Sequence, residues 1–146
     1  MDALECRLGG WHAARVVGVA YHSLDYWVRS GLLSCEVPAR GRGSRRVFSF
    51  LDLIRARAVA DLRKQGVSLQ TVRRIVQELT ERWRLDDPLI HTGRLVVAGD
   101  NLLWVSDDQA LLSAITGQLP AQALVILPMG EMVAEIRATV EAIGMV

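Results

Sequence analysis

Apolar residues recur at helical spacing along the first half of the chain. Leu24, Trp27 and Val28 stand at positions i, i+3 and i+4, which predicts a helix over residues 21–30 with these side chains facing inward. Two longer apolar stripes predict two further helices, and their members are Leu53, Ile54, Ala58 and Leu62 in the first and Leu69, Val72, Ile75, Val76 and Leu79 in the second.

A shorter helical segment comes before these helices. Residues 11–17 allow two helical turns, with Trp11, Ala14 and Val17 on one face. Residues 1–10 contain two consecutive glycines, which break a helix, so they are expected to form an irregular segment.

The ends of the longer helices carry residues that begin and end helices in proteins. Ser49 and Asp52 have the Ser-x-x-Asp spacing of a capping box, in which each side chain accepts a hydrogen bond from the other residue's backbone N–H. Ser68 is expected to cap the following helix with its hydroxyl. Gly31 and Gly66 follow apolar stripes, and glycine adopts the left-handed conformation that ends a helix at little cost.

The pattern changes after Pro88, which ends the helical region. Two β-rich runs, residues 94–98 and 102–105, flank a turn and predict a hairpin. A short helix over residues 109–116, an apolar strand over 123–127 and a last amphipathic helix complete a small ββαβα module. The expected fold class is therefore mainly α with β.

A basic segment joins the helix at 21–30 to the helix that begins near Ser49. It is rich in glycine and serine, and its four arginines are Arg40, Arg42, Arg45 and Arg46. Residues 47–50 alternate between apolar and small side chains and predict a strand edge. A helix followed by a basic hairpin is the layout of a winged helix-turn-helix, in which the helix enters a DNA groove and the arginines contact phosphates.

Charge is distributed unevenly along the chain, although the formal net charge is only +1. Residues 1–85 contain 15 Lys and Arg against 8 Asp and Glu, a net charge of +7, and residues 86–146 contain 2 against 8, a net charge of −6. Fourteen of the 15 N-terminal cations are Arg, which suits phosphate and guanine, although a GC-rich coding bias would also favour Arg. The basic half is expected to meet a polyanion.

The remaining composition argues against several classes of protein. Cys6 and Cys35 have neither close spacing nor a histidine partner, so they are expected to be reduced thiols in a cytosolic protein. The histidines are too scattered for a metal site, and the sequence has no catalytic triad pattern or phosphate-binding loop, so neither a cofactor nor an enzyme is expected. No leader and no membrane span are expected, and the predicted location is the cytoplasm, in association with the nucleoid.

Residues 18–79 resemble the DNA-binding domain of MerR-type transcription regulators. The resemblance lies in the segments HSLDYW at 22–27, RSGLL at 29–33, RRVFS at 45–49 and KQGVSL at 64–69. In that family the second helix reads the major groove, the wing holds the DNA backbone and the protein works as a dimer. The resemblance therefore implies a homodimer on double-stranded DNA, with recognition helix 21–30 in the major groove and wing 38–48 on the backbone.

The sequence departs from the family pattern in two places. Asp25 stands where the family usually has an arginine, and it is expected to accept a hydrogen bond from cytosine or to orient Arg29 or His22. Family members usually continue into a long coiled-coil helix, whereas here Pro88 ends the helical region and a β-containing module follows.

We therefore predict a MerR-like winged helix DNA-binding domain at 1–87 and a small α+β module at 88–146. The residues expected to contact DNA are Tyr21, His22, Ser23, Tyr26, Arg29, Arg40, Arg42, Arg45 and Arg46. The module has many apolar residues for a unit of about 60 residues, so we expect a dimer or partner interface there, or packing against the DNA-binding half. The interface residues expected are Leu102, Leu103, Trp104, Val125, Ile126, Leu127, Met132 and Ile136.

Three functional hypotheses remain open from the sequence. The first is a homodimeric transcription regulator that represses its own gene. The second is an antitoxin that resembles some bacterial toxin–antitoxin regulators, binds a toxin through residues 88–146 and represses the shared operon. The third makes residues 88–146 a small-molecule sensor, although the sequence has no conspicuous set of convergent polar residues there.

Overall fold

The computed structural model describes residues 3–36, 46–82, 93–98, 101–105 and 124–144. These residues are mainly helical, with two small antiparallel sheets, and the expected fold class is confirmed. After a 3₁₀ turn at Ala3–Glu5, the elements are β1 Arg7–Leu8, α1 Gly10–Val17, α2 Tyr21–Arg29, β2 Phe48–Ser49, α3 Phe50–Lys64, α4 Leu69–Arg82, β3 Arg94–Ala98, β4 Asn101–Val105, β5 Leu124–Leu127 and α5 Met129–Gly144.

The chain forms two compact units. The first consists of residues 1–60 together with 135–146, and the second consists of residues 61–134, so that α3 and α5 contribute to both. Within the first unit the Arg57 guanidinium donates a hydrogen bond from Nη2 to Glu135 Oε2 at 2.8 Å, which links α3 to the last part of α5. The predicted boundary between 1–87 and 88–146 falls outside the described residues, and that division stays a prediction.

The N-terminal residues form part of the first unit, and the expectation of an irregular segment is wrong for residues 3–8. β1 pairs with β2 in antiparallel register, with Arg7 opposite Ser49 and Leu8 opposite Phe48. Ala3 and Cys6 are buried beside this short ladder. A two-residue strand has no measurable periodicity, and its partner lies far along the chain, so local pattern alone gives no indication of the pairing.

The predicted capping box is present at the start of α3. The Asp52 N–H donates to Ser49 Oγ at 3.2 Å, and the Ser49 N–H donates to Asp52 Oδ2 at 2.9 Å. The same carboxylate accepts the Glu36 N–H at 2.8 Å and Arg55 Nη1 at 3.2 Å. Asp52 is only 5% exposed, so it satisfies two backbone donors and one cation in the protein interior.

Turn residues end the helices as the sequence predicts. Gly31 and Gly66 have φ values of +80° and +82°, a conformation that side chains with a Cβ rarely adopt. Ser68 begins α4 by accepting the Thr71 N–H on its hydroxyl at 3.3 Å. Of the three α2 residues predicted to face inward, Leu24 is fully buried, whereas Trp27 and Val28 are half-buried. Helix α2 is thus anchored chiefly through Leu24.

The second unit contains a three-stranded antiparallel sheet with the strand order β4-β3-β5. Val96 of the central strand lies opposite Leu103 on one side and Ile126 on the other, so the predicted hairpin and the following strand are confirmed. The Gly130 N–H donates to the Gly93 carbonyl at 3.1 Å and joins the start of α5 to the start of β3. The helix predicted over residues 109–116 lies outside the described residues. Among the helices that the structure describes, none has the length and apolar character needed to cross a membrane.

We expect Asp52→Ala to destabilise the protein by about 2–4 kcal/mol, because it leaves two backbone N–H groups and Arg55 without their shared buried acceptor. Ser49→Ala removes one cap and is expected to cost about 1 kcal/mol. Urea unfolding followed by circular dichroism measures both changes. Ser68→Ala is the control, since it removes the same kind of cap where water replaces the lost bond. Equal losses for Asp52→Ala and Ser68→Ala would contradict the central role of the buried carboxylate.

Candidate nucleic-acid interface

Helix α2 presents one polar face. His22, Tyr26 and Arg29 stand at positions i, i+4 and i+7, and all three are exposed, with 55% of Tyr26 accessible to solvent. Leu24 lies on the opposite side and is buried. This division leaves a row of hydrogen-bonding side chains on the accessible surface of the helix. Tyr21 and Ser23, the other predicted contact residues of this helix, are half-buried.

The C-terminal end of α2 is held by the turn that follows it. The Ser30 hydroxyl donates to the Trp27 carbonyl at 3.2 Å, and the Leu33 N–H donates to the same carbonyl at 3.1 Å. Leu32 and Leu33 are buried directly after this turn. These contacts fix the axis of α2 from its inner side and leave its polar face accessible.

An aromatic pair lies at the start of α2. The rings of Trp11 and Tyr21 are stacked, with 4.3 Å between their centroids and an angle of 11° between their planes. A Cβ at Gly10 would lie 2.6 Å from Tyr21 Cε2, so the absence of a side chain at this position makes room for the tyrosine ring. Trp11 is 73% exposed, whereas Ala14 and Val17 are buried. Helical spacing predicts that Trp11 lies on one face with Ala14 and Val17, but it does not predict that Trp11 is exposed and stacks on Tyr21.

Asp25 joins α2 to the end of the basic segment. Its carboxylate accepts Arg29 Nε on Oδ2 at 2.8 Å and Arg46 Nη1 on Oδ1. Arg29 remains 63% exposed, whereas Arg46 is only 15% exposed. The hydrogen bond from Arg46, with the charges of both arginines, holds the pKa of Asp25 below its usual value, so the carboxylate is ionised at neutral pH. Of the roles expected for Asp25, the structure shows the orientation of Arg29, and it adds Arg46.

The described part of the predicted wing consists of its last residues. Arg46 contacts Asp25, and Phe48 is buried in β2. The predicted phosphate contacts Arg40, Arg42 and Arg45 lie outside the described residues. On the other side of residues 37–45, Glu36 donates its N–H to Asp52 and accepts Arg7 Nη2 on its carboxylate at 2.6 Å.

The predicted partner-interface residues divide into three groups. Leu127, Met132 and Ile136 are buried within the protomer and contribute to its core. Val125 and Ile126 are half-buried. Leu102, Leu103 and Trp104 lie in β4, and their side chains are outside the description.

The two thiols lie near Asp52 in the first unit. Burial raises the pKa of both Cys6 and Cys35, and the negative charge of Asp52 raises it further. Both thiols are therefore protonated at neutral pH and are weak nucleophiles. Within the described ranges, no group of three or more His, Cys, Asp or Glu residues is arranged to hold a metal ion.

The N-terminal region is similar to known regulatory proteins. A family model described as "MerR HTH family regulatory protein" matches residues 12–79. Uncharacterized HTH-type transcriptional regulators of Mycobacterium bovis and of two strains of Mycobacterium tuberculosis are each 36% identical over 74 residues. The aligned residues are 50% of this chain and 33% of each relative, so the chain spans about a third of the length of these curated relatives.

We expect Gly10→Ala to separate the rings of Trp11 and Tyr21, because the added Cβ meets the tyrosine ring at 2.6 Å. The near-UV circular dichroism of the variant should change in the direction of Trp11→Ala, which removes the stack directly. Gly9→Ala is the matched control, since a Cβ at Gly9 has no atom within 4 Å. A Gly10→Ala spectrum identical to that of the unsubstituted protein would contradict the steric role of Gly10.

Proposed function

We propose that the protein is a sequence-specific DNA-binding transcription regulator that acts as a homodimer, because residues 12–79 match the MerR helix-turn-helix family model. Helix α2 enters the major groove of one half-site, and segment 38–48 lies on the flanking phosphate backbone. The observation that carries this proposal is the row of exposed His22, Tyr26 and Arg29 on one face of a helix anchored by Leu24.

The chemistry of this face fits the edges of base pairs. The major groove admits an α-helix and presents a different pattern of donors and acceptors for each base pair. Arg29 can donate to guanine, Tyr26 and His22 can donate or accept, and all three project from the accessible side of α2. The stacked Trp11 restricts the ring of Tyr21 at the start of the same helix.

Charge supports the assignment of DNA as the partner. The net charge of +7 over residues 1–85 attracts a polyanion, and each arginine that neutralises a phosphate releases a counterion from DNA. Arg40, Arg42 and Arg45 are the backbone contacts in this proposal. They bring the protein to DNA, whereas the face of α2 provides the selection of sequence.

A homodimer places two α2 helices on one side of the duplex. Half-sites about 34 Å apart, one turn of DNA, present equivalent major grooves to two symmetric protomers. The half-exposed Val125 and Ile126 and strand β4 are the part of residues 88–146 that we propose for the protomer contact. Binding of such a dimer over its own promoter blocks transcription, which is the repressor function that we propose, in the cytoplasm at the nucleoid.

A second proposal is supported by the charge of the C-terminal part. Residues 86–146 carry a net charge of −6, which suits a basic protein partner such as a toxin nuclease. In this antitoxin proposal the N-terminal domain represses the operon that encodes both proteins. Co-expression with the product of the adjacent open reading frame tests it, since a stable complex supports the antitoxin function and the absence of a complex removes it.

The principal test is fluorescence anisotropy with labelled DNA from the upstream region of the gene and with random DNA of the same length. We expect tight, salt-dependent binding to the upstream DNA and a dimer in sedimentation equilibrium. Equal affinity for the two DNAs would contradict the proposed sequence-specific function, because it would leave only general electrostatic attraction.

We expect Tyr26→Ala and Arg29→Ala to reduce the preference for the upstream DNA by about tenfold each, since one good contact to a base edge contributes about 1–3 kcal/mol. Replacement of Arg40, Arg42 and Arg45 by Ala should weaken binding to both DNAs and lower the salt slope by about 0.9 per lost phosphate contact. Lys64→Ala, at the exposed C-terminal end of α3, is the control for removal of a positive charge. An unchanged salt slope in the triple variant would contradict the assignment of the wing.

A further inference from the structure

We propose that Asp25 sets the DNA specificity of this protein by pairing with Arg29 and Arg46, so that these arginines contribute little to binding of random DNA. The inference rests on the proposed DNA-binding function and concerns how that function becomes selective. Asp25 is a carboxylate on a helix that otherwise presents hydrogen-bonding and cationic groups. It accepts hydrogen bonds from the exposed Arg29 and from Arg46 at the end of the basic segment.

A carboxylate and a phosphate compete for the same guanidinium groups. Each offers two negatively charged oxygens that accept charge-assisted hydrogen bonds from one guanidinium group. In the free protein Asp25 accepts from Arg29 at 2.8 Å and from Arg46, so one anion already occupies both cations. A DNA phosphate that takes either arginine therefore replaces an existing ion pair and also meets the negative charge of Asp25.

The two arginines differ in how readily they can be exchanged. Arg29 is 63% exposed and lies one helical turn from Asp25, so its side chain can turn towards DNA without a change in the backbone. Arg46 is only 15% exposed and lies just before β2. Its ion pair with Asp25 of α2 therefore keeps the end of the wing in place. Arg29 is therefore the exchangeable cation, which can move from Asp25 to DNA, whereas Arg46 holds the end of the basic segment next to α2.

This arrangement penalises random DNA more than the correct sequence. On random DNA, Arg29 gains one phosphate contact and loses its pair with Asp25, so the net gain is small. On a correct half-site, Arg29 can keep its Nε bond to Asp25 and donate from Nη1 and Nη2 to an uncharged base edge, so it gains base contacts without losing the pair. Asp25 therefore lowers the affinity for random DNA and widens the difference between the two kinds of site. It is a specificity-determining residue that acts through Arg29 and Arg46.

The test compares Asp25→Asn with the unsubstituted full-length protein on the upstream DNA and on random DNA over a range of salt concentrations. The substitution keeps the shape of the side chain and removes its charge. We expect the affinity for random DNA to rise by about tenfold, with a salt slope steeper by about 0.9 to 1.8, which corresponds to one or two added phosphate contacts. The affinity for the upstream DNA should rise less, so the ratio of the two affinities falls.

Two further variants isolate the cause. Glu141→Gln changes the net charge equally and removes an ion pair of the same i, i+4 spacing, between Arg137 Nε and Glu141 Oε1 at 3.7 Å, so it controls for charge alone. Addition of Arg29→Ala to Asp25→Asn should cancel most of the gain on random DNA, because Arg29 is the exchangeable cation. Thermal unfolding of each variant records any change in stability, which a salt slope does not report.

The outcomes separate this inference from the function on which it rests. If the unsubstituted protein prefers the upstream DNA and Asp25→Asn keeps the same slope and the same ratio, the role of Asp25 is overturned and the proposed function stands. Equal weakening of Asp25→Asn on both DNAs would make Asp25 a purely structural residue and would also overturn it. If neither protein binds DNA, both proposals are wrong.

Discussion

The carboxylate of Asp52 is the interaction on which the arrangement of the first unit depends. It caps the start of α3, receives the Glu36 N–H from the segment after α2 and pairs with Arg55, all from a buried position. Because β2 leads directly into α3, the same contacts fix the register in which β2 pairs with β1. The chain between Glu36 and Arg46 therefore begins and ends at points that the core determines.

Asp25 and Asp52 show how burial separates two functions of one side-chain type. Asp52 is inside the protein, where backbone donors that lose their acceptor cannot be satisfied by water, so its contacts hold the fold together. Asp25 is at the edge of the accessible face of α2, where Arg29 can leave it for water or, in the proposed complex, for a DNA phosphate, whereas Arg46 is held in a mostly buried position. Asp52 stabilises the structure because loss of its buried hydrogen bonds is costly. Asp25 can act in the proposed DNA binding because Arg29 can leave it.

Local features of the sequence were sufficient to predict much of this fold. The Ser49-x-x-Asp52 spacing, the left-handed turn at Gly31 and the β-rich run of β3 each depend on residues close in sequence, and all three predictions are confirmed. The pairing of β1 with β2 and the contact between Asp25 and Arg46 join residues that are distant along the chain. No periodicity encodes such contacts, since they arise only when the helices have packed. The contact between Trp11 and Tyr21 was not predicted for a related reason. Helical spacing gives the face of Trp11, whereas the ring of Tyr21 and the missing side chain of Gly10 decide what Trp11 contacts.

The pairing pattern also changes the meaning of the charge distribution. The net charge of +7 over residues 1–85 already subtracts the charge of Asp25, but it does not show where that negative charge lies. In the folded protein Asp25 pairs with Arg29 and Arg46, so two of the positive groups at the proposed interface are already paired. In the proposed function, general attraction to DNA depends mainly on arginines outside this cluster, whereas selection depends on whether a site offers Arg29 a base edge that it can contact beside Asp25. A regulator must find one site among many that differ only in their bases. In the proposed function, a contact that gains on a base edge but not on a phosphate serves that task, because the phosphates are the same at every site.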